Sequence, residues 1–315
     1  MTDTVVIAIR QRRRSNPNEN SIKVLVMNFS NKKVAIIGLG LMGGSLALAL
    51  RHRFKKKVKV YGVSRSKSKI RSAVRGKIID YGTCDLRSLL NEEHIDIIFI
   101  ATPVSIVKSC IRDIEKHAQY KVIVSDLGST KARLLRWVDG RKFKSVEFVG
   151  SHPMTGSHES GLGAAQGDIY KDCMSFITKT SKTPRRALKI ISALWERLGV
   201  RTVIINPDLH DKIVAKVSHL PHVVASVLVD NTFHRNKRYS KFIGPGFLDT
   251  TRIAQSDPSL WSDIFLSNSR NVKGELKDFK RRIDSFISIL NKNDSKVLTN
   301  FLKDINRKRK NIINL

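Results

Sequence analysis

The chain has 315 residues, with 58 Lys and Arg against 27 Asp and Glu, a formal charge of +31, and 41% apolar residues. It is long enough for two domains of ~100–200 residues each and can bury a core. Its three cysteines are scattered without metal spacing, which argues against a disulfide framework and for free thiols in a reducing compartment.

The charge admits a nucleic-acid partner. The basic runs at Arg12–Arg14, Lys55–Lys57, Lys280–Arg282 and Arg307–Lys310 come without a recognition motif. They read instead as a solvated surface that attracts anionic substrates. No apolar run approaches the ~18 residues of a membrane span. "VVIAI" is too short for a signal peptide and precedes arginines. The expectation is a cytoplasmic protein with neither nucleic acid nor membrane as partner.

Residues 1–30 are polar and basic and read as a flexible extension, with Met27 an alternative start. From residue 31 to 206, strands alternate with helices. "KVAIIG" is a buried strand, Leu41–Arg53 a helix, "KVKVYGV" a strand, and Lys67–Val74 a helix. "IDIIFIAT" is a strand leading into Pro103, a first-turn helical residue. "YKVIVSDLG", "SVEFVGSHP", "SFITKT" and "RTVII" follow as strands, with a helix over Pro184–Leu198. This alternation predicts an α/β fold with a Rossmann-type doubly wound parallel sheet. Residues 207–315 read as helical only. Val272, Leu276, Phe279, Ile283, Phe286 and Leu290 form a heptad seam there, which packs either within its own domain or across a homodimer.

Gly38, Gly40 and Gly43 give G-x-G-x-x-G between strand and helix. In that context the first glycine permits the tight turn, the second admits a pyrophosphate, and the third lets the helix pack on the strand. With Leu39, Leu41 and Met42 they form the predicted dinucleotide cradle, joined by Thr102 and Pro103 after a later strand. The second strand of such folds ends in an acid that binds the ribose hydroxyls of NAD. Here Ser64 and Arg65 stand there, followed by Lys67. A hydroxyl and a guanidinium suit a 2′-phosphate, so the reading favours NADP over NAD, unless Arg65 is merely a surface cation.

"SDLGSTK" carries Ser129 and Thr130, whose hydroxyls either face a ligand or cap a helix. "GSHPMTGSHESG" places His152 just beyond a strand's carboxyl end, where doubly wound sheets bind ligands, and makes it a candidate acid–base group. His158 is either a second polar contact or simply exposed. "HDKIVAKVSHLPHVVASVL" reads as a helix kinked at Pro221, with His219 and His222 on either side. "GPGFLDTTRIAQSDPSLWSDI" contributes Asp249 and Arg252, then Asp257 and Pro258 opening a helix with Trp261. Arg252 could hold a carboxylate bidentately.

Together, "GLGLMGGS", "SDLGSTK", "SHPMTGSHESG", "SHLPH" and "GFLDTTRIAQSDPSLWSDI" resemble the prephenate/arogenate dehydrogenase family of tyrosine biosynthesis. The resemblance implies a dinucleotide-binding domain followed by an all-helical dimerisation and substrate domain. It implies NAD(P)-dependent oxidative decarboxylation of prephenate to 4-hydroxyphenylpyruvate, or of arogenate to tyrosine. It makes His152 and Ser129 the residues that meet the ring hydroxyl, and Arg252 the substrate's carboxylate partner. It places His219, Asp249 and Trp261 near the same pocket. His158 stands where many relatives carry an acid, which bears on substrate choice. The basic "VSRSKSK" looks like the NADP-using, arogenate-preferring members. From the chain's end soon after the helical segment, the expectation is an enzyme without a fused mutase or regulatory domain.

Two other classes share some of these features. β-Hydroxyacid and 6-phosphogluconate-type dehydrogenases have the glycine turn and a helical second domain, but need a catalytic lysine where "SHLPH" stands. A non-catalytic basic nucleotide-binding protein would have no use for His152, Ser129 and Arg252 together.

Overall fold

Apolar runs rich in Val and Ile without polar alternation make strands that are buried on both faces, the signature of a parallel sheet wrapped by helices. The structure is a computed structural model that describes residues 27–157, 159–234 and 237–313. The predicted extension, up to residue 26, lies outside the described residues. Phe29, just inside them, is buried with its ring 5.5 Å from that of Phe54.

The elements run β1 (Lys32–Ile37), α1 (Leu41–Phe54), β2 (Val58–Val63), α2 (Lys67–Arg75), β3 (Tyr81–Thr83), α3 (Leu86–Glu92), β4 (Ile97–Ile100), α4 (Val104–His117), β5 (Val122–Asp126), α5 (Ala132–Asp139), β6 (Val146–Pro153), β7 (Met174–Thr178), α6 (Arg185–Arg197) and β8 (Arg201–Ile205). The sheet has eight strands in the order β3-β2-β1-β4-β5-β6-β7-β8. Its order reverses at β1, which pairs with both β2 and β4. One apolar cluster, with Leu46, Leu50 and Trp195, fills the face under α1 and α6. Another, with Val107, Ile111 and Leu134, fills the opposite face under α4 and α5. Each fully buried Leu, Ile or Val contributes roughly 1.5–3 kcal/mol.

The predicted sheet is corrected in two places. β3 is an additional, three-residue edge strand paired with β2. β7 runs antiparallel to β6. Among the described residues between Pro153 and Met174 no helix crosses over, so the chain re-enters the sheet at the edge it left, which gives an antiparallel neighbour. A crossover through α6 then makes β8 parallel to β7.

The helical continuation runs α7 (Pro207–Val214), α8 (Leu220–Phe233), α9 (Pro245–Thr251) and α10 (Pro258–Ser267). Between α7 and α8, residues Ala215–His219 form a π-turn in which Leu220 N–H donates to the Ala215 carbonyl. The expected proline kink is thus a π-turn, in which the extra residue takes up the loss of the Pro221 N–H. The run Pro207–Phe233 is long and apolar enough to cross a bilayer by length and composition, contrary to expectation. Its buried members His210, Asp211 and His219 all make polar contacts within the fold.

Compact units end at Asn268 and begin at Ser269. The second consists of α11 (Ser269–Asn291) and α12 (Ser295–Ile313), with the rings of Phe286 and Phe301 5.5 Å apart. Of the heptad seam, Ile283 and Leu290 stay exposed in the single chain.

Candidate active site

The carboxyl ends of β2, β1, β4, β5 and β6 lie side by side, and each presents a segment singled out by the sequence. Gly38 follows β1 with φ +102°, and a side chain there would meet the Ala101 carbonyl at 2.6 Å. A Cβ on Gly43 would lie 1.9 Å from the Gly38 carbonyl. Gly40 faces open space. It is also the N-cap of α1, where no side chain caps the first-turn amides and no acid occupies that turn. A crowded turn, an open glycine and uncapped amides at a helix start fit a dinucleotide's pyrophosphate. Leu39 is buried beneath the turn, Leu41 and Met42 open α1, and Thr102 and the exposed Pro103 follow β4. At the end of β2, Ser64 N–H donates to Thr83 O (3.1 Å), and Arg65, Lys67 and Lys69 are exposed around it.

β6 outruns β5. Asp126, the last residue of β5, pairs with Gly150, and the strand continues to Pro153 by pairing with β7. His152 therefore lies inside the strand, opposite Phe176, rather than just beyond its end. The pairing fixes the backbone of His152, which is only 9% exposed. Its Nδ1 lies 2.9 Å from His210 Nε2, and His210 Nδ1 lies 2.7 Å from Asp211 Oδ1. Asp211 also accepts from the N–H of Lys131 (2.8 Å, Oδ1) and of Ala132 (3.0 Å, Oδ2). Asp211, from α7, thus caps α5.

Neither Ser129 nor Thr130 caps that helix. Thr130 is buried, its Oγ1 2.9 Å from Ser267 Oγ of α10, while Ser129 is half-buried and has no hydrogen bond among the described residues. Beneath the turn, Lys131 Nζ pairs with Asp126 Oδ2, and both side chains are wholly buried.

His219 is buried, and Asn268 Nδ2 bridges its Nδ1 (3.2 Å) to the Asp211 carbonyl (2.8 Å). An amide nitrogen that serves a carbonyl must be the donor, so His219 Nδ1 accepts and its Nε2 carries the proton. Trp261 stands edge-on to His219 at 6.0 Å and stacks on His222 at 3.5 Å. As expected, Asp257 caps the helix that carries Trp261, accepting from Leu260 N. Asp263 of that helix accepts from Ser105 N at the start of α4 (2.9 Å), which holds α10 beside the sheet edge. His222, Ser226, Ser256, Trp261 and Phe265 line a cavity of about 400 Å³. Among the described residues, neither nitrogen of His222 meets a hydrogen-bond partner of good geometry.

The structure thus joins His152, His219 and Trp261 through one run of contacts. Asp249 and Arg252 are exposed and make no ion pair among the described residues. His158 lies outside the described residues. The sequence reading missed His210, Asp211 and Asn268. The only signal for the first two was an adjacent His-Asp pair within the first turns of α7.

Burial, reinforced by the positive neighbour Lys131, pushes the pKa of His152 well below the usual histidine value. Burial lowers that of His210 as well, and that of His219 to about 4. Folded, these imidazoles keep their neutral form to lower pH than unfolded ones, which titrate near ~6.5. Below ~6.5 the unfolded chain binds more protons, so stability is present above that pH and falls as pH falls toward the folded values. Each histidine contributes at most about 1.4 kcal/mol per pH unit. Burial raises the pKa of Asp126, which acts in the opposite sense, and lowers that of His222, which acts with the other histidines. Urea unfolding is expected to show a clearly lower midpoint at pH 5.5 than at pH 7.5, and equal midpoints would refute the neutral-histidine picture.

Two family models match the chain. One described as "prephenate dehydrogenase, nucleotide-binding domain" covers residues 46–204, and one described as "prephenate dehydrogenase, dimerization domain" covers residues 206–304. The prephenate dehydrogenase of Bacillus subtilis is 30% identical over 274 residues, 86% of this chain and 73% of that protein. The fold superimposes on a crystal structure of prephenate dehydrogenase from A. aeolicus in complex with hydroxyphenyl propionate and NAD+. The TM-score is 0.84 at 33% identity, covering 91% of this chain and 100% of that one. Against Synechocystis arogenate dehydrogenase the TM-score is 0.75 at 28% identity, with 89% and 99% covered.

Proposed function

The chain belongs to the prephenate dehydrogenase family, and on that footing we propose that it catalyses NADP-dependent oxidative decarboxylation of arogenate in tyrosine biosynthesis. The observation that carries the reading is His152: a neutral, buried imidazole on the carboxyl edge of the sheet, between the glycine cradle and the helices that bear His219 and Trp261.

A bound nicotinamide dinucleotide supplies the hydride acceptor, and the amides around Gly40 hold its pyrophosphate. His152 Nε2 accepts the proton of the ring hydroxyl as the carbon that bears it is oxidised. Ser129, with no hydrogen-bond partner among the described residues, meets the same hydroxyl. Loss of CO₂ aromatises the ring and draws the reaction forward. Arg252 binds a substrate carboxylate. His219 offers Nε2–H, and Trp261 provides a wall for the ring. Asp249 and His158 complete the substrate side, His158 bearing on the choice between keto acid and amino acid. The exposed Ile283, Ile287 and Leu290 of α11 suit a homodimer through the helical part. The reading places the enzyme in the cytoplasm.

Support for NADP comes from Ser64 and Arg65 in the place of an acid. The aeolicus relative is described with NAD+, so cofactor choice is tested directly. Rates with arogenate and with prephenate are compared against NADP and NAD. The NADP–arogenate pair is expected to give the highest kcat/KM. Arg65→Ala is expected to raise the KM for NADP about tenfold, the lower end of a charge-assisted hydrogen bond, and to leave NAD unchanged. Equal or better turnover with NAD by the parent enzyme would overturn the cofactor assignment.

A further inference from the structure

Three side chains lie in line behind the substrate-facing nitrogen of His152. Asp211 Oδ1 is 2.7 Å from His210 Nδ1, and His210 Nε2 is 2.9 Å from His152 Nδ1. All three residues are nine-tenths or more buried. The aspartate, on α7, is held from a second side by the amides of Lys131 and Ala132.

The direction of each hydrogen bond in this line follows from the acceptor at its end. A carboxylate that receives two backbone N–H groups can only accept, so the His210 nitrogen facing it carries the proton. Burial keeps His210 neutral, so its other nitrogen is bare. A bare His210 Nε2 requires His152 to present Nδ1–H. Neutral His152 is then left with a lone pair on Nε2. The opposite assignment, with His210 Nε2–H donating to His152 Nδ1, would set the lone pair of His210 Nδ1 against the Asp211 carboxylate.

We propose that His210 and Asp211 are positioning residues that fix the tautomer of His152, so that its Nε2 can only accept a proton from the substrate. The proposal rests on the reading of His152 as the base. It extends that reading to two residues with no substrate contact of their own. It also explains why Asp211 reaches across to cap α5. The same carboxylate that orients His210 secures the turn that carries Ser129, so the two groups assigned to the substrate hydroxyl are set from one anchor.

Two kinds of measurement test it. ¹⁵N spectra of histidine-labelled full-length protein, with His152 assigned from its loss in His152→Asn, report the tautomers without any turnover. Both His152 and His210 are expected as Nδ1–H forms at pH 7.5. The second measurement compares two variants. In His210→Gln the amide oxygen can stand near the place of the ring Nε2 and still accept from His152. In His210→Asn the amide stands near Nδ1, keeping the bond to Asp211 but leaving His152 without an acceptor. Glutamine is expected to keep kcat within about tenfold, and asparagine to lose about 10²–10⁴-fold with little change in KM.

A purely packing role for His210 would make the two variants alike, and equal losses overturn the proposal. So does an Nε2–H tautomer at His152 in the parent protein. If the tautomers are as expected but the parent turns over neither arogenate nor prephenate, the relay stands and the functional reading falls.

Discussion

Asparagine in place of His152 is expected to lower kcat by about 10²–10⁴-fold, the range that general acid–base groups supply. The fold should survive the change. His152 sits in a paired strand, and an asparagine amide reaches about as far as the ring Nδ1, so it can still donate to His210 Nε2. What disappears is the acceptor at Nε2. Dinucleotide binding, followed by fluorescence, should be unchanged, because the glycine turn lies at the end of β1, across β4 and β5 from β6. The residual rate then reflects binding and orientation alone. An asparagine enzyme with near-normal turnover would remove His152 from the chemistry. The pH profile adds a second check. A base held neutral by burial should give a kcat/KM that stays flat through the usual histidine pKa of ~6.5 and falls only at lower pH.

How much of this could be read in the sequence depended on how local each feature was. Gly38, Gly40 and Gly43 are set by the sterics of a single turn, so their spacing is explicit. The glycine contacts at 2.6 Å and 1.9 Å show why no other residue fits at the first and third. Asp257 and Pro258 start their helix within a few residues of each other and were equally plain. β3 was not, since three residues containing Gly82 carry no periodicity. The reversal of β7 was hidden because a strand's direction is set by its connection, not by its own residues.

The run from His152 to Asp211 was invisible for a related reason. It depends on α7 arriving beside β6, 58 residues apart in sequence at the closest hydrogen bond. The π-turn was read as a kink because proline's missing N–H is local, whereas the extra residue that accommodates it is settled by packing.

Removing the charge of Lys131 is expected to cost about 3–5 kcal/mol, the effect of breaking a buried ion pair from one side. Lys131→Met keeps the stem that lies under Gly150 but takes the ammonium from Asp126 Oδ2. The carboxylate then retains only the Gly128 N–H (3.0 Å), and its Oδ1 has no hydrogen-bond partner even in the parent chain. An unpaired buried carboxylate is relieved by protonation, so the loss measured by urea unfolding should shrink as pH falls from 7.5 to 5.5. Asp126→Asn combined with Lys131→Met removes the stranded charge and should recover most of the loss, since a neutral amide can still accept from Gly128. Two outcomes contradict this account: a single variant within about 1 kcal/mol of the parent, or a double variant no better than the single one. The pair also bears on turnover. The backbone N–H of Lys131 is one of the two that seat Asp211, so loosening the turn should disturb the anchor of His210. Lys131→Met should therefore lose kcat as well as stability, and the double variant should regain both together.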